Sequence, residues 1–229
     1  MNTYVFKITA KTNLHVGNES GGEFTIIDKA IQRDPLTGLP CINSSSLKGA
    51  INEFCTNALK MSADVRKRIF GSDKIDKKSD SKKGEAIFFD AKLLFLPQQD
   101  ENTLFHYATT KSIIEMMNDR IALLGGKITF SLTTKYPEGE MAKDVKPISE
   151  KEMEAICSDD NLPIIARNVL DNGESKNLWY EQVLPAETVL YTIIQDNKDE
   201  LAKALDGQIV QIGANATIGY GYCKFELIK

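Results

Sequence analysis

The spacing of apolar positions predicts a strand at the start of the chain and a helix after it. From Tyr4 to Lys11, apolar and polar side chains alternate, which is typical of a half-buried strand. From Leu47 to Leu59, apolar residues recur every three or four positions, which predicts an amphipathic helix to about Lys60. Ser44–Ser46, which precede this pattern, are candidates to cap the first turn.

The same periodicities assign most of the remaining chain. A polar segment at 72–84 predicts a loop, and a turn is expected at 97–102. Strand–helix–strand order occurs both early and late, which predicts an α+β fold with a ferredoxin-like core and long insertions between its halves. The further predicted strands are 86–96 with a break near Asp90, 127–134, 188–195, 208–212 and 222–228, and the further helices are 111–124, 149–157 and 198–205.

Composition narrows the class of protein. The 229 residues suit one large domain, and 42% hydrophobic with 26% charged residues is ordinary for a globular protein. No apolar run approaches the ~20 residues of a membrane helix, and the first residues lack a signal core, so a cytoplasmic protein is expected. The four cysteines form no CxxC pair, which favours free thiols, and two histidines cannot build a multi-histidine metal site.

Charge leaves two interpretations open. The net charge of −4, from 28 basic and 32 acidic residues, excludes a uniformly basic surface for nucleic acid. Between Arg66 and Lys83, however, the chain has eight basic residues and only three acidic ones. This segment is either a solvated surface loop or a flank that faces phosphates.

The start of the first predicted helix carries residues that helix stability alone would not select. Lys48 opposes the helix dipole there, and Gly49 costs ~1 kcal/mol relative to alanine. A phosphate bound by free N–H groups and Lys48, with Gly49 permitting close approach, explains both. The alternative is an exposed lysine that merely tolerates its position.

The glycine run from Gly213 to Gly221 matches neither the GxGxxG nor the P-loop spacing, which argues against a nucleotide-binding enzyme. Its glycines serve either a tight turn with positive φ or a flat backbone ledge under a nucleic acid.

Three residues near the first glycine-rich segment are candidates with competing explanations. Asp28 lies among apolar neighbours and is either a turn residue or a functional carboxylate. His15 is either packed in the core or used for positioning. Arg33 either pairs locally with Asp34 or meets a phosphate.

The segment from Ala166 to Gln182 combines Arg167 and Asn168 with the only tryptophan, Trp179, and with amides and a tyrosine. Aromatic side chains beside amides and cations suit base stacking. The alternative is an ordered hairpin that packs Trp179 into the core.

Together these motifs resemble the RAMP superfamily of CRISPR proteins, and most closely the repeated backbone subunit of type III-B (Cmr) effector complexes. The resemblance extends over nearly the whole chain. The matching motifs are His15-Val16-Gly17, Asp28 with Ile31-Gln32-Arg33, Thr37-Gly38-Leu39-Pro40, Ser44-Ser45-Ser46-Leu47-Lys48-Gly49, Phe70-Gly71, Asp90-Ala91-Lys92-Leu93-Leu94, Ala166-Arg167-Asn168, Asn177-Leu178-Trp179-Tyr180-Glu181 and 213–221.

The resemblance implies a single RAMP domain over 1–229: a ferredoxin-like (RRM-like) palm, helical fingers-like insertions, a basic loop insertion at about 64–84 and a thumb insertion within about 136–184. The thumb itself maps best onto 166–181. Copies would stack on a guide crRNA with other type III effector subunits, each thumb displacing a nucleotide pair. The implied RNA-binding residues are His15, Arg33, Ser46, Lys48, Gly49, Arg167, Asn168, Trp179, Gly213, Asn215, Gly219 and Gly221.

The resemblance also implies cleavage of the complementary target RNA at regular intervals. Asp28 maps onto the key aspartate and would also contact a transient Mg²⁺ or Mn²⁺. Glu181 and His15 are weaker candidates for positioning. The chain departs from the family where Ala214 follows Gly213, since relatives often have Gly-Gly there. A non-catalytic filament subunit and a guide-processing RAMP ribonuclease remain alternatives.

Overall fold

The computed structural model describes residues 1–17, 27–72, 82–132, 135–136 and 143–228. This part of the chain contains a ten-stranded sheet, a separate two-stranded hairpin and five α-helices. Within it, no helix is both long enough and apolar enough to cross a membrane.

The strands are β1 (Asn2–Ala10), β2 (Cys41–Ile42), β3 (Ile87–Phe88), β4 (Ala91–Gln99), β5 (Phe105–Thr109), β6 (Lys135–Tyr136), β7 (Lys143–Pro147), β8 (Ile164–Asp171), β9 (Glu174–Gln182), β10 (Val189–Asp196), β11 (Ile209–Gln211) and β12 (Tyr222–Ile228). The helices are α1 (Ser44–Asn57), α2 (Ala63–Phe70), α3 (Lys111–Leu123), α4 (Glu150–Ile156) and α5 (Glu200–Leu205).

Four antiparallel strands form the centre of the sheet, in the order β12-β1-β10-β4. In chain order, α1 lies between β1 and β4, and α5 lies between β10 and β12. Both faces of β1 are covered, since the neighbouring side chains of Val5 and Phe6 are fully buried. The α+β class predicted from the sequence is therefore confirmed.

The sheet continues beyond β4 through β5, β7 and β6. Helix α3 covers one face of the central strands, and its end is tied to the sheet by hydrogen bonds. The Leu124 carbonyl accepts the Thr3 hydroxyl at 2.5 Å and the Gln195 amide at 2.9 Å. The N-terminus of α3 is capped by Thr110, whose hydroxyl accepts the Ile113 N–H.

The predicted break near Asp90 is confirmed, and the structure shows its cause. Asp90 separates β3 from β4, and its carboxylate accepts the Ser44 N–H at 2.8 Å. The prediction that Ser44–Ser46 cap α1 is wrong, because Asn43 is the N-cap residue and makes no side-chain cap bond. A carboxylate from another segment satisfies the first turn instead.

Two local predictions are corrected. Residues 127–132 form no strand, because the Asn118 side chain bonds the N–H and carbonyl of Phe130 at 2.8 and 2.9 Å. This amide takes the place of a neighbouring strand; residues 133–134 of that prediction lie outside the described part. The predicted turn at 97–102 begins late, because β4 continues to Gln99 in pairing with β5.

The basic insertion predicted from about residue 64 begins as a helix rather than a loop. Helix α2 is capped by the Ser62 hydroxyl and buries Ile69 and Phe70. Three consecutive basic residues concealed these two apolar positions. Residues 73–81, which hold the rest of the predicted basic loop, lie outside the described residues, as do 137–142 of the predicted thumb insertion.

Candidate nucleic-acid interface

Residues 28–33 lie beside the base of the β8–β9 hairpin and pair with the end of β9. The N–H groups of Asp28 and Lys29 both donate to the Tyr180 carbonyl at 3.1 Å. The Gln182 N–H donates to the Lys29 carbonyl at 3.0 Å. This parallel pairing attaches Asp28 to a strand that lies 152 positions later in the chain.

The Asp28 carboxylate is exposed and oriented. Its Oδ2 accepts the Tyr180 N–H at 2.7 Å, and no other described group donates to this side chain. One oxygen is thus held by the hairpin in a side chain that is exposed. An exposed carboxylate with one anchored oxygen can accept a proton or contribute a ligand to a hard cation.

Glu181 accepts hydrogen bonds from side chains of three segments near Asp28. Its buried carboxylate accepts Lys29 Nζ at 3.1 Å, Trp179 Nε1 at 2.8 Å and Asn215 Nδ2 at 2.7 Å. Burial by itself would raise the pKa of Glu181, but these three donors lower it below its ordinary value. The ionised carboxylate therefore holds the Asp28 segment, the hairpin and the glycine run together.

Replacing Glu181 with glutamine is expected to lower stability at neutral pH by about 1–3 kcal/mol, because buried charge-assisted hydrogen bonds are lost. Since the folded pKa is lowered, the stabilisation is complete above the unfolded value of about 4.3 and is lost as pH falls through the folded value. Urea unfolding at pH 7 and near pH 3 should show the wild-type advantage shrinking with acidification. The exposed Glu53→Gln variant is the control; an equal advantage at both pH values would contradict the assignment.

Trp179 lies at the base of the hairpin and is half-buried rather than packed in the core. Lys29 Nζ lies 5.1 Å from its ring centroid, and Arg167 is its cross-strand partner. Arg167 in turn lies 5.9 Å from the ring centroid of Tyr220 in the glycine run. The interpretation of this segment as an ordered hairpin is confirmed, whereas burial of Trp179 in the core is wrong.

The sequence contains a local signal for the hairpin turn that the analysis of apolar spacing does not detect. Its turn is Asn172-Gly173, and both residues have positive φ, at 52° and 86°. Asn-Gly between two strands is the strongest short-range sign of a hairpin. Asn168 lies farther out on β8, exposed, and accepts the Ser175 hydroxyl at 2.9 Å.

The glycine run combines tight backbone packing with one open position. A Cβ on Gly213 would lie 2.2 Å from the His15 carbonyl oxygen, and one on Gly221 would lie 2.0 Å from the Ile212 carbonyl oxygen. Gly219 shares the positive φ but has no atom within 4 Å of the corresponding position. The turn explanation therefore accounts for Gly213 and Gly221, and Gly219 leaves room for a ligand.

His15 is bonded to both the glycine run and the end of β9. The ring is 2% exposed, and Nδ1 lies 2.7 Å from the Gln182 carbonyl oxygen, so Nδ1 carries the proton and donates. The His15 carbonyl accepts the Ala214 N–H at 2.9 Å. Because the ring has almost no free surface, the structure favours a positioning role over direct contact with RNA.

The structure brings Ser46 to the Asp28 segment but not Lys48. The buried Gln32 amide donates to Ser46 Oγ at 3.0 Å and accepts the Asn43 N–H at 2.7 Å. Lys48 lies about 200° farther around α1, and its Nζ is 6.0 Å from the Phe88 ring centroid. Lys48 therefore lies on a different side of α1 from Ser46. Gly49 is exposed, with open space at its Cβ position.

Arg33 is engaged within the protein. Its guanidinium donates to the Cys157 carbonyl at 2.7 Å and to Asp159 Oδ1 at 2.6 Å, and also to the Gly38 carbonyl. Asp159 also accepts Gln182 Nε2 at 3.1 Å. These bonds tie the Asp28 segment to the end of α4. Of the two alternatives for Arg33, the local pair with Asp34 is not formed, because Asp159 is its ionic partner.

Comparison with known proteins decides the family. A model described as the RAMP superfamily matches residues 7–224. The chain belongs to the RAMP superfamily. It is 26% identical over 287 aligned positions to the CRISPR system Cmr endoribonuclease Cmr4 of Pyrococcus furiosus, covering 99% of this chain and 96% of that protein.

Two solved structures share the fold of this RAMP chain. The type III-B Cmr-beta complex bound to cognate target RNA contains a chain with a TM-score of 0.72 and 20% identity, covering 99% of this chain and 97% of that one. Oligomeric Cmr4 from Pyrococcus furiosus has a TM-score of 0.72 and 20% identity, covering 100% and 98%. The chain therefore shares the fold of these RAMP-superfamily structures.

The described residues contain no preformed metal cluster. No group of three or more histidine, cysteine, aspartate or glutamate side chains among them could hold a metal ion. Mg²⁺ is commonly held by one or two carboxylates together with waters and substrate phosphates. The exposed Asp28 carboxylate is compatible with a contact of that kind.

Sequence reasoning missed four residues at this site: Lys29, Gln32, Gln182 and Tyr220. Each makes a hydrogen bond or a cation–π contact at the site. For all but Gln32, the residue contacted lies more than 50 positions away in the sequence. Lys29 directly follows Asp28, which was the one available clue. Nothing in the local pattern marks the two glutamines as buried.

Proposed function

We propose that this chain is the repeated backbone subunit of a type III-B CRISPR effector complex that binds guide crRNA as a multimer and cleaves complementary target RNA. One observation carries the proposal: an exposed, anchored carboxylate, Asp28, lies at the base of a projecting hairpin beside cationic and aromatic side chains. The similarity to a Cmr endoribonuclease over nearly the whole chain supports it. Other type III subunits and a cytoplasmic location belong to the same proposal.

The sheet topology supports a division of the chain into palm, thumb and fingers. The order β1-α1-β4-β10-α5-β12, with sheet order β12-β1-β10-β4, is that of a ferredoxin-like palm. The β8–β9 hairpin is the thumb, and α2 belongs to the fingers-like part. In this assignment, Asp28 lies where palm and thumb meet.

The proposed RNA-contacting residues lie near the Asp28 segment. The half-buried Trp179 and Asn215 side chains bond Glu181, and Arg167 is the cross-strand partner of Trp179. Aromatic and guanidinium planes at such a junction can stack on bases that are displaced from a duplex. Asn168, Gly49 and Gly219 offer exposed surface, and Lys48 would contact guide RNA on the Phe88 side of α1.

Cleavage would use the target strand's own 2′-hydroxyl. A hairpin that displaces a nucleotide lets the 2′-oxygen approach the adjacent phosphorus opposite the 5′-oxygen. The P–O5′ bond breaks as the O2′–P bond forms, the 2′-hydroxyl loses its proton and the 5′-oxygen gains one. Asp28 is held at this junction by its two hydrogen bonds with the Tyr180 backbone, and it would hold a divalent ion. When bound, such an ion supplies stabilisation of phosphate charge.

The decisive experiment is reconstitution with guide RNA. Gel filtration should show multimers only with guide RNA, and a complementary labelled RNA should be cut at regular intervals when Mg²⁺ or Mn²⁺ is present. A multimer that binds target without cutting it in either ion would reduce the chain to a non-catalytic filament subunit. A chain that stays monomeric and cuts hairpin RNA would instead be a guide-processing ribonuclease.

A further inference from the structure

The side chain of Lys29, the residue that follows Asp28, is held in one position on the surface. Its Nζ lies 3.1 Å from Glu181 Oε1 and 5.1 Å from the centroid of the Trp179 ring. Its backbone N–H donates to the Tyr180 carbonyl at 3.1 Å, which fixes the start of the side chain as well. A lysine loses much rotamer freedom when it is immobilised on a ligand. At Lys29, most of that loss precedes ligand binding.

The ion pair of Lys29 and Glu181 is oriented with its positive end outward. The Glu181 side chain is 1% exposed, whereas the Lys29 side chain is 53% exposed. An anion that approaches from solvent therefore meets the ammonium at closer range than the carboxylate, so that attraction exceeds repulsion. The buried carboxylate positions the cation without cancelling its effect on a ligand.

The ammonium retains hydrogen-bonding capacity for a ligand. A lysine ammonium has three N–H groups. Among the residues that the structure describes, Glu181 is the one acceptor bonded to Lys29 Nζ, which leaves two N–H groups available. Glu181 also accepts Trp179 Nε1 at 2.8 Å and Asn215 Nδ2 at 2.7 Å. Since Glu181 has these two other donors, the half-exposed ammonium is more than a counter-ion for a buried acid.

A phosphodiester is the anion that suits this position. The Asp28 carboxylate alone would repel the phosphate of a target strand, and an adjacent cation offsets that repulsion. The Cα atoms of residues 28 and 29 are about 3.8 Å apart across their peptide bond. The N–H groups of both residues donate to the Tyr180 carbonyl. We expect a phosphate beside Asp28 to come close to the Lys29 ammonium.

We propose that Lys29 is a further catalytic residue, whose ammonium donates a hydrogen bond to a non-bridging oxygen of the scissile phosphate and stabilises the charge that develops there. The inference rests on the proposed function and adds a residue to the same site. As the O2′–P bond forms, negative charge on the non-bridging oxygens increases, so a fixed cation stabilises the transition state more than the bound target. Lys29 keeps its proton, while the 2′-hydroxyl loses one and the 5′-oxygen gains one.

Single-turnover cleavage at saturating target tests this role in the complex reconstituted with guide RNA. Lys29→Gln should lower the rate by about 10–100-fold, with guide and target affinities retained, which is less than for a buried donor because Lys29 is half-exposed. Lys29→Arg, which keeps the cation, should recover part of the rate. The control is Lys146→Gln, because Lys146 is also half-exposed and is paired with Asp100, whose side chain is 9% exposed. It should cut as the wild type does.

A phosphorothioate at the cut position separates a phosphate contact from a purely structural role. Sulfur accepts hydrogen bonds weakly, so replacing the oxygen that faces Lys29 should slow the wild type for one diastereomer and should slow Lys29→Gln no further. The same sulfur effect in the wild type and in Lys29→Gln would overturn the contact. No sulfur effect for either diastereomer in the wild type would overturn it as well, and that measurement needs no variant to fold.

The outcomes distinguish this role from the proposed function. Wild-type cleavage by Lys29→Gln, or a loss of target binding equal to the loss of cleavage, would overturn the catalytic role of Lys29 alone. A wild-type complex that assembles on guide RNA but cuts no target would overturn the proposed cleavage and this role together.

Discussion

Replacing Asp28 with asparagine is expected to lower target cleavage by about 100-fold or more in the assembled complex, with guide and target binding retained. Asparagine keeps an oxygen that can accept the Tyr180 N–H, so the loop should stay in place. What it removes is the negative charge that would hold the ion beside the scissile phosphate. Single-turnover cleavage of labelled target RNA measures the effect, and filter binding measures affinity.

Asp119→Asn serves as the matched control, because Asp119 is exposed on α3 and lies outside the candidate site. It should cut at the wild-type rate. An equal loss of binding and cleavage in Asp28→Asn would assign Asp28 to RNA binding, and full cleavage by this variant would remove it from the reaction. Restored cutting at raised Mn²⁺ concentration would support contact with the ion.

Replacing Gly213 with alanine is expected to destabilise the protein by about 3–5 kcal/mol, the largest effect on folding predicted here. Its φ is +81°, and the added Cβ would lie 2.2 Å from the carbonyl oxygen of His15. That contact involves backbone, which cannot swing away as a flexible side chain would. Chemical unfolding monitored by circular dichroism measures the loss.

The Gly219→Ala variant separates the cost of the steric clash from the cost of the positive φ. Gly219 has nearly the same φ, +84°, but nothing lies within 4 Å of its Cβ position. Only the conformational strain applies, so a cost of about 1 kcal/mol is expected. If both variants lost the same stability, close packing on His15 would not be the reason for Gly213.

Local patterns predicted much of the fold because burial imposes a period on each element. The alternation in β1 and the spacing that buries Leu47, Ile51 and Cys55 in α1 were sufficient for those elements. Where side chains replaced regular pairing, periodicity failed: Asn118 bonds the backbone of Phe130, and that segment is no strand. The apolar pattern did not predict helix α2, because only two of its side chains, Ile69 and Phe70, are buried.

The structure brings several of the candidate residues together, but their arrangement was not predicted from the sequence. Asp28, Arg167, Trp179 and Asn215 were named from their chemistry and from a family resemblance that the RAMP match confirms. Glu181 was a minor candidate, yet it bonds three of the converging segments. Lys48, which was also named as an RNA-binding candidate, has its Nζ 6.0 Å from the Phe88 ring centroid, on a different side of α1 from Ser46.

The sequence by itself determined most of the elements, the family and the presence of an acidic residue among glycine-rich segments. Only the tertiary structure decided which of these residues meet. The pairing of Lys29 with Glu181 spans 152 positions and depends on the register between two segments. Register is set by the sum of contacts across the whole sheet, which no local pattern contains.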